Sequence, residues 1–190
     1  MHWKLHLPSL LVFPTLGNAS PYPSKDEITA IFSHLTGTNS SYSSFFSHVS
    51  PAVNWTIQGT HPAAGQYTNR TLLEATFARI NAIGSKERPL ALTLTNIVGG
   101  GVEEWSVQEL EVLGYCKNGL KFDNRYAWAT RWNTNATIVE ARAYLDSMLV
   151  SQALQQNELG ILFTYNNPRN VLVPFVELSE AIALEATGLS

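Results

Sequence analysis

The chain has 190 residues, of which 45% are hydrophobic and 11% aromatic, and its formal net charge is -3. This length and apolar content fit one globular core with a modest appendage. Because 12 lysines and arginines stand against 15 aspartates and glutamates, there is no basic stripe for nucleic acid or an anionic membrane, and we expect neither partner. The single cysteine, Cys116, excludes an internal disulfide and a cysteine-based metal cluster.

The first 19 residues have the features of a secretory signal peptide. Lys4 precedes an apolar stretch, and small residues up to Ala19 match the spacing of a signal-peptidase site. Two prolines interrupt this stretch, which is too short to span a membrane. The sequence therefore predicts a secreted or secretory-lumen protein.

Asparagines in the Asn-X-Ser/Thr pattern would accept glycans in that compartment. The same pattern also arises by chance in a chain this rich in asparagine and threonine. Asn54 precedes a tryptophan within a predicted strand, so we expect it to stay unmodified even if the others carry glycans. The candidate acceptors are Asn39, Asn54, Asn69 and Asn135.

The first half of the chain predicts three helices. A capping-box pattern at residues 24–27, followed by apolar residues at helical spacing, predicts a helix over residues 25–36. Two adjacent phenylalanines indicate a short second helix that ends near Pro51. Another capping-box pattern begins at Thr71 and predicts a third helix that stops at Gly84.

The second half changes to the period of two that is typical of strands. An Asn-Gly pair between two long apolar runs predicts a hairpin turn. Helices followed by a meander of antiparallel strands indicate an α+β fold in which a curved sheet wraps around helices. In chain order, the predicted elements are a strand from Pro89 up to the glycines at 99–101, strands over residues 102–115, 121–132 and 138–146, and a closing helix over residues 148–157.

This order of elements, together with three segments, resembles the SnoaL-like branch of the nuclear-transport-factor-2-like superfamily, and in particular its small fungal-type proteins. The segments are residues 55–67, with a His-Pro step between two turn glycines, and residues 124–128 and 138–146. Relatives in this superfamily include ketosteroid isomerase, limonene epoxide hydrolase, scytalone dehydratase and polyketide cyclases. The resemblance implies a cone-shaped, curved antiparallel sheet around N-terminal helices, with one deep pocket that usually needs no metal or cofactor.

The chain accordingly divides into three predicted parts. These are a signal peptide over residues 1–19, a SnoaL-like domain over residues 20–157 and a C-terminal extension over residues 158–190. The extension exceeds the usual family length and contains a predicted strand at 171–176 and a helix at 179–186. It would cover either the pocket mouth or a sheet edge.

Strand alternation and the resemblance together indicate which side chains face the pocket. The resemblance implies that Trp128 stands where ketosteroid isomerase has its oxyanion-hole aspartate and Trp55 where it has its general base. Ala143 stands where limonene epoxide hydrolase has a catalytic aspartate, so neither known reaction carries over. The predicted ligand-binding residues are Trp55, Trp105, Asn124, Trp128, Ala141 and Ala143.

Glu109 and Glu111 lie on one face of the predicted strand 102–115 and are the candidates for moving a proton. In an apolar cavity, desolvation and mutual repulsion would raise the pKa of at least one carboxyl toward neutrality. The alternative is that the opposite face, with Ser106 and Gln108, points inward and that both glutamates are solvated. Because burying a charge without a partner is costly, this alternative has the same weight as the orientation in which the glutamates face the cavity.

His61 and Tyr126 complete the predicted catalytic set, in which they would polarise a substrate oxygen. His61 precedes a proline in a tight corner, where a histidine is also commonly a hydrogen-bonded structural residue. The alternation places Arg131, Glu140 and Arg142 on the outer face, as cross-strand ion pairs or a homodimer surface.

The leading hypothesis is therefore a protein that encloses a small hydrophobic molecule, of polyketide or terpenoid type, and catalyses a cofactor-free isomerisation, cyclisation or dehydration by proton transfer. The competing hypothesis is a noncatalytic secreted binding or interaction module that kept the fold. A third is a dimeric structural protein that uses the outer sheet face.

Overall fold

The computed structural model describes residues 20–36 and 41–158. The predicted signal peptide, Asn39 and the predicted extension beyond residue 158 lie outside these ranges. The described elements are α1 (Lys25–Ser33), α2 (Tyr42–Ser47), β1 (Val49–Ile57), β2 (Gly65–Tyr67), α3 (Arg70–Ala82), β3 (Ala91–Gly99), β4 (Trp105–Tyr115), β5 (Lys121–Trp132), β6 (Ile138–Tyr144) and α4 (Ser147–Glu158).

The six strands form one curved, unclosed sheet in the order β2-β1-β6-β5-β4-β3. Strands β3 to β6 form the antiparallel meander that the sequence predicts. Strand β1 lies beside β6 and runs parallel to it, which is the one departure from an all-antiparallel sheet. The predicted α+β fold is confirmed.

Trp128 of β5 lies at the centre of the core. Its ring contacts α1 through Phe32, α2 through Phe45 and α3 through Phe77, with ring centroids 5.9, 6.3 and 5.6 Å away. It also meets Trp55 of β1 edge to face at 5.2 Å. Buried aromatic pairs of this kind add about 0.5–1.5 kcal/mol each beyond the area they bury. The three early helices are thus held against the sheet by one aromatic cluster.

The bounds of the three early helices differ from the sequence prediction. Helix α1 ends at Ser33, three residues before the predicted end at residue 36. Helix α2 ends at Ser47, and Pro51 lies inside β1. This proline is tolerated because the register of β1 against β6 is interrupted between Val49 and Asn54, so that its missing N–H falls where the ladder is irregular.

The start predicted for α3 was also wrong. The cap is Asn69, whose side-chain oxygen accepts the backbone N–H of Thr71 at 2.8 Å, and the helix begins at Arg70. Asn69 has the extended backbone that an N-cap requires. The capping box at Ser24 and Glu27, by contrast, is present with both of its hydrogen bonds.

A buried polar network joins β4 to β5 on the inner face of the sheet. Gln108 donates through Nε2 to Ser106 Oγ at 2.7 Å, and its Oε1 accepts the Thr130 hydroxyl at 3.0 Å. Trp132 Nε1 also donates to Ser106 Oγ, at 2.8 Å. All four side chains are buried, and the network supplies partners that polar groups need away from water.

Replacing Thr130 by valine should lower the free energy of unfolding by about 1–3 kcal/mol, because Gln108 Oε1 loses its donor in a buried site. The matched control is Thr93→Val on the exposed face of β3, which should stay within about 0.5 kcal/mol of the parent. Urea unfolding of both variants measures the difference. Equal stabilities would mean that the network contributes nothing.

Candidate functional site

A cavity of about 90 Å³ lies between the concave face of the sheet and helices α2 and α3. Its wall is built from large aromatic and aliphatic side chains, and the polar groups among them are two tyrosine hydroxyls, two indole N–H groups and the Asn81 amide. Apolar walls with a few polar groups are typical of small-molecule sites. The aromatic members are Tyr42, Trp55, Phe77, Phe122, Tyr126 and Trp128.

The indole N–H groups of Trp55 and Trp128 are buried and have no hydrogen-bond partner. The two side chains are 0% and 4% exposed. A buried donor without a partner costs about 1–3 kcal/mol. The indole of Trp132 shows that this fold can satisfy such a group, because its N–H is bonded to Ser106.

Both tyrosines that border the cavity are held in the protonated form. Burial raises the pKa of Tyr42, and burial together with the negative charge of Asp146 raises the pKa of Tyr126 strongly. At neutral pH each phenol is therefore a hydrogen-bond donor to any acceptor in the cavity.

The prediction that Glu109 and Glu111 face the cavity was wrong. Glu109 is exposed and accepts a hydrogen bond from Asn96 Nδ2 at 3.2 Å, and Glu111 forms a 2.6 Å ion pair with Arg125. Strand β4 instead turns Ser106 and Gln108 inward, as in the alternative. Neutral polar side chains can satisfy one another there, whereas two carboxylates would lie in an apolar core without a cation.

The predicted ligand-binding residues separate into two groups. Trp55, Trp128 and Ala143 border the cavity, as does Tyr126 of the predicted catalytic set. Ala141 is fully buried in the neighbouring core and is absent from the cavity wall.

Asn124 and Trp105 lie elsewhere, so their predicted places in the cavity wall were wrong. The Asn124 amide oxygen accepts the backbone N–H of Asp146 at 3.0 Å, and its nitrogen donates to the Asp146 carbonyl. Both ends of this buried amide thus hold β5 to the start of α4. Trp105 alternates with Ser106 and lies on the outer face under the Arg142 guanidinium, 4.9 Å from its ring centroid.

His61 lies in the turn after β1 and does not border the cavity. Only 4% of it is exposed, and its Nδ1 accepts the backbone N–H of Ala63 at 3.2 Å. That hydrogen bond assigns the proton to Nε2, which is buried without a partner. Burial lowers the pKa of the imidazole. This environment fits the structural alternative for the residue.

The sequence comparisons find fungal relatives. The chain is 29% identical over 143 residues to the dimerizing cyclase phiC of a fungal species, which is 73% of this chain and 60% of that protein. It is 26% identical over 134 residues to the dimerizing cyclase tstC of Talaromyces stipitatus, which is 68% of this chain and 57% of that protein. The chain thus spans less than two thirds of these relatives. No family model matches the sequence.

Solved structures share the fold. An NTF2-like protein of Burkholderia thailandensis matches 60% of this chain and 84% of its own, with a TM-score of 0.50 and 23% identity. The chain therefore has an NTF2-like fold. A cystatin-like protein of unknown function from Xanthomonas campestris matches 68% of this chain and 95% of its own, with a TM-score of 0.55 and 18% identity. The resemblance to a SnoaL-like fungal family is confirmed.

The outer face of this sheet carries the predicted cross-strand ion pair between Arg131 and Glu140, and Arg142, on the same strand as Glu140, adds a second. Arg131 Nε and Arg142 Nη2 both approach the Glu140 carboxylate, at 3.2 and 3.0 Å. Arg131 and Glu140 are direct partners in the β5–β6 register. A homodimer through this face stays a prediction.

The described sequons lie on the surface of the NTF2-like domain. Asn54, Asn69 and Asn135 are all exposed. The Asn54 carboxamide accepts a hydrogen bond from Gln66 Nε2 at 2.7 Å, and that of Asn69 caps α3. Glycosylation and secretion stay predictions.

Within residues 20–36 and 41–158, no group of three or more histidine, cysteine, aspartate or glutamate side chains could hold a metal ion. No helix in the same ranges has the length and apolar character needed to cross a membrane.

His61 should make the fold less stable in acid. Its folded-state pKa is lowered, so as pH falls below about 6.5 the unfolded chain takes up a proton that the folded protein excludes. The variant His61→Asn keeps an acceptor near Nδ1 and does not titrate. Its free energy of unfolding should fall less between about pH 7.5 and about pH 5.5 than that of the parent. This interval is chosen because it spans the ordinary histidine pKa of about 6.5.

The control is His34→Asn, because His34 is only partly buried and lies outside the turn that holds His61. Urea unfolding at both pH values measures the effect. If His61→Asn loses as much stability in acid as the parent does, burial of this imidazole is not the cause.

Proposed function

We propose that this protein is a cofactor-free cyclase or isomerase that acts on a small hydrophobic molecule held in its aromatic cavity. The observation that carries the proposal is the place of Tyr126, whose phenol can donate a hydrogen bond, in the mostly apolar wall of this cavity. The relatives named dimerizing cyclases support the reaction class.

Tyr126 would act by donating a hydrogen bond to a substrate carbonyl. When an enol of the substrate attacks that carbonyl carbon, a ring bond forms and the C=O electron pair moves onto the oxygen. The oxygen takes the phenol proton, and the proton released from the attacking enol restores the phenol. Donors fixed in a dry site stabilise such developing charge far better than water does.

The substrate class follows from the groups that the cavity lacks. Among the described residues, no carboxylate and no imidazole borders it, so the protein would supply an acid but no strong base. A substrate that enolises by itself suits this wall, and carbonyls spaced as in a polyketide chain do so readily. A polyketide-like substrate is therefore favoured over a terpenoid hydrocarbon.

The second candidate function is noncatalytic binding of the same class of molecule. The same lack of a described carboxylate or imidazole at the cavity favours it, because proton abstraction is the usual task of a general base in such reactions. Both candidate functions predict that the ligand binds in the cavity, and only the enzyme predicts that it is converted to a product.

Diacetylacetone, a short chain with three ketones that closes to dimethylpyrone with loss of water, is a suitable probe. The parent protein should accelerate formation of the pyrone, followed by its ultraviolet absorbance. Tyr126→Phe should lower kcat by about 100-fold, since a donor to the developing oxyanion is lost. The matched control, Tyr144→Phe, alters a tyrosine that is 47% exposed on the adjacent strand and should leave kcat unchanged.

Saturable binding of diacetylacetone without acceleration would reject the enzyme and favour the binding module. Equal loss of kcat in both tyrosine variants would instead reject the role of Tyr126. Thermal unfolding of each variant checks that the fold is intact.

Glu109→Gln and Glu111→Gln should leave the kcat of pyrone formation within about two-fold of the parent, because both side chains lie on the outer face and neither borders the cavity. The measurement is the same absorbance assay. A large loss in either variant would restore the glutamates as proton carriers and would require a different arrangement of β4.

A further inference from the structure

Two tryptophans in the cavity wall have indole N–H groups that form no hydrogen bond within the described residues. Trp55 and Trp128 both border the cavity, and the Nε1–H of each is buried and unpartnered. We infer that these two indole N–H groups form a paired donor site for a carbonyl or enol oxygen of the ligand. The inference rests on the proposed function only in taking this cavity as the ligand site.

The strand register explains why the two indoles come together. Trp55 of β1 and Trp128 of β5 lie on strands that flank β6. The β6 residues paired with them are Ala141 and Ala143 respectively. Because these alanines have the smallest side chains that a strand presents, the two indoles meet across β6 with centroids 5.2 Å apart and planes at 84°. Larger residues on β6 would separate them.

The chemistry of indole sets the kind of ligand atom. An indole N–H donates and cannot accept, so its partner must be an acceptor. The Tyr42 and Tyr126 hydroxyls, whose pKa values are raised, add further donors to the same wall. The described wall offers acceptors only through the Asn81 amide and the two phenol oxygens. The site is therefore matched to an oxygen that accepts hydrogen bonds.

Charge narrows the ligand further. No lysine, arginine or histidine borders the cavity among the described residues. A carboxylate or phosphate buried there would have no counter-charge, which is costly. A neutral ketone, aldehyde or quinone oxygen on an apolar ring meets the donors without that cost. The site accordingly discriminates in favour of neutral carbonyl compounds.

The competing use of these N–H groups is an interaction with the face of a neighbouring ring, since Trp55 also meets Phe77 edge to face at 6.0 Å. An N–H that already points at the face of a ring would not donate a hydrogen bond to a carbonyl ligand. The two cases predict different responses of the indole protons, which the following experiment separates.

The experiment uses two probes of the same shape, cyclopentanone and methylenecyclopentane, which differ in an oxygen against a methylene group. Indole Nε1–H resonances are followed by ¹H–¹⁵N NMR on the full chain and assigned with single Trp→Phe variants. Cyclopentanone should shift the Trp55 and Trp128 resonances downfield, and methylenecyclopentane should not. Trp132, already bonded to Ser106 at 2.8 Å, is the internal control and should not respond.

Affinities of the two probes in the variants isolate the hydrogen bond from packing. Trp55→Phe and Trp128→Phe enlarge the cavity for both probes alike, so the ratio of their dissociation constants reports the lost donor. We expect the preference for cyclopentanone to fall about ten-fold in each, which corresponds to the worth of one buried hydrogen bond. Trp105→Phe, on the outer face beside Arg142, is the matched control and should keep the parent ratio.

Three results would overturn the inference. They are unmoved Trp55 and Trp128 resonances while cyclopentanone is bound, an equal loss of affinity for both probes in the variants, and no binding of the ketone at all. Turnover of diacetylacetone separates this failure from that of the proposed function. Turnover with unresponsive indoles rejects the donor pair alone, and shifted indoles without turnover reject the enzyme alone.

Discussion

The register of β4 against β5 is the constraint on which the rest of the structure depends. It places Gln108 opposite Trp128 and Leu110 opposite Tyr126, all on the concave face. Side chains alternate along a strand, so the same register sends Glu111 outward to Arg125. A shift of one residue in β4 would exchange its two faces. It would bury two carboxylates and expose the polar network that joins the strands, which is why one register is strongly preferred.

Stability and ligand binding draw on the same aromatic side chains in this protein. Trp128 contacts all three early helices and also borders the cavity. Its ring packing contributes to the core, while its N–H remains without a partner. The aromatic cluster thus carries an unsatisfied polar group that a simple core would avoid. A ligand that accepts this hydrogen bond would add to stability as well as occupy the cavity.

Much of the fold follows from local sequence patterns, because the signals for its elements are themselves local. The capping box of α1 matches the pattern of residues 24–27. The bounds of β5 and its inward face match the pattern of residues 121–132. Alternation alone leaves the phase of β4 open, since both of its faces carry polar residues. Contacts between β4 and β5 decide which face of β4 points inward, because there Ser106 and Gln108 form hydrogen bonds with Thr130. The sequence also cannot predict that the indole N–H groups of Trp55 and Trp128 lack hydrogen-bond partners, because this depends on which atoms surround them in the folded protein.

The same dependence on distant contacts determines the cavity wall formed by α3. Leu73 and Thr76 of this helix are buried, Phe77 packs on Trp55 and Trp128, and two arginines add long-range hydrogen bonds. Arg70 donates to the carbonyls that end α2 and begin β1, at 3.2 and 3.1 Å, and Arg79 holds Glu158 of α4 through two 2.6 Å bonds.

Between those arginines, Phe77 and Asn81 border both the inner cavity and a groove of about 770 Å³ between α2 and α3. Together with Tyr42, these two side chains lie between the inner cavity and the groove. Partly exposed ion pairs such as Arg79–Glu158 contribute about 1 kcal/mol or less. Helix α3 is therefore held to the sheet mainly by the packing of Phe77 on Trp55 and Trp128, the same aromatic side chains that border the cavity.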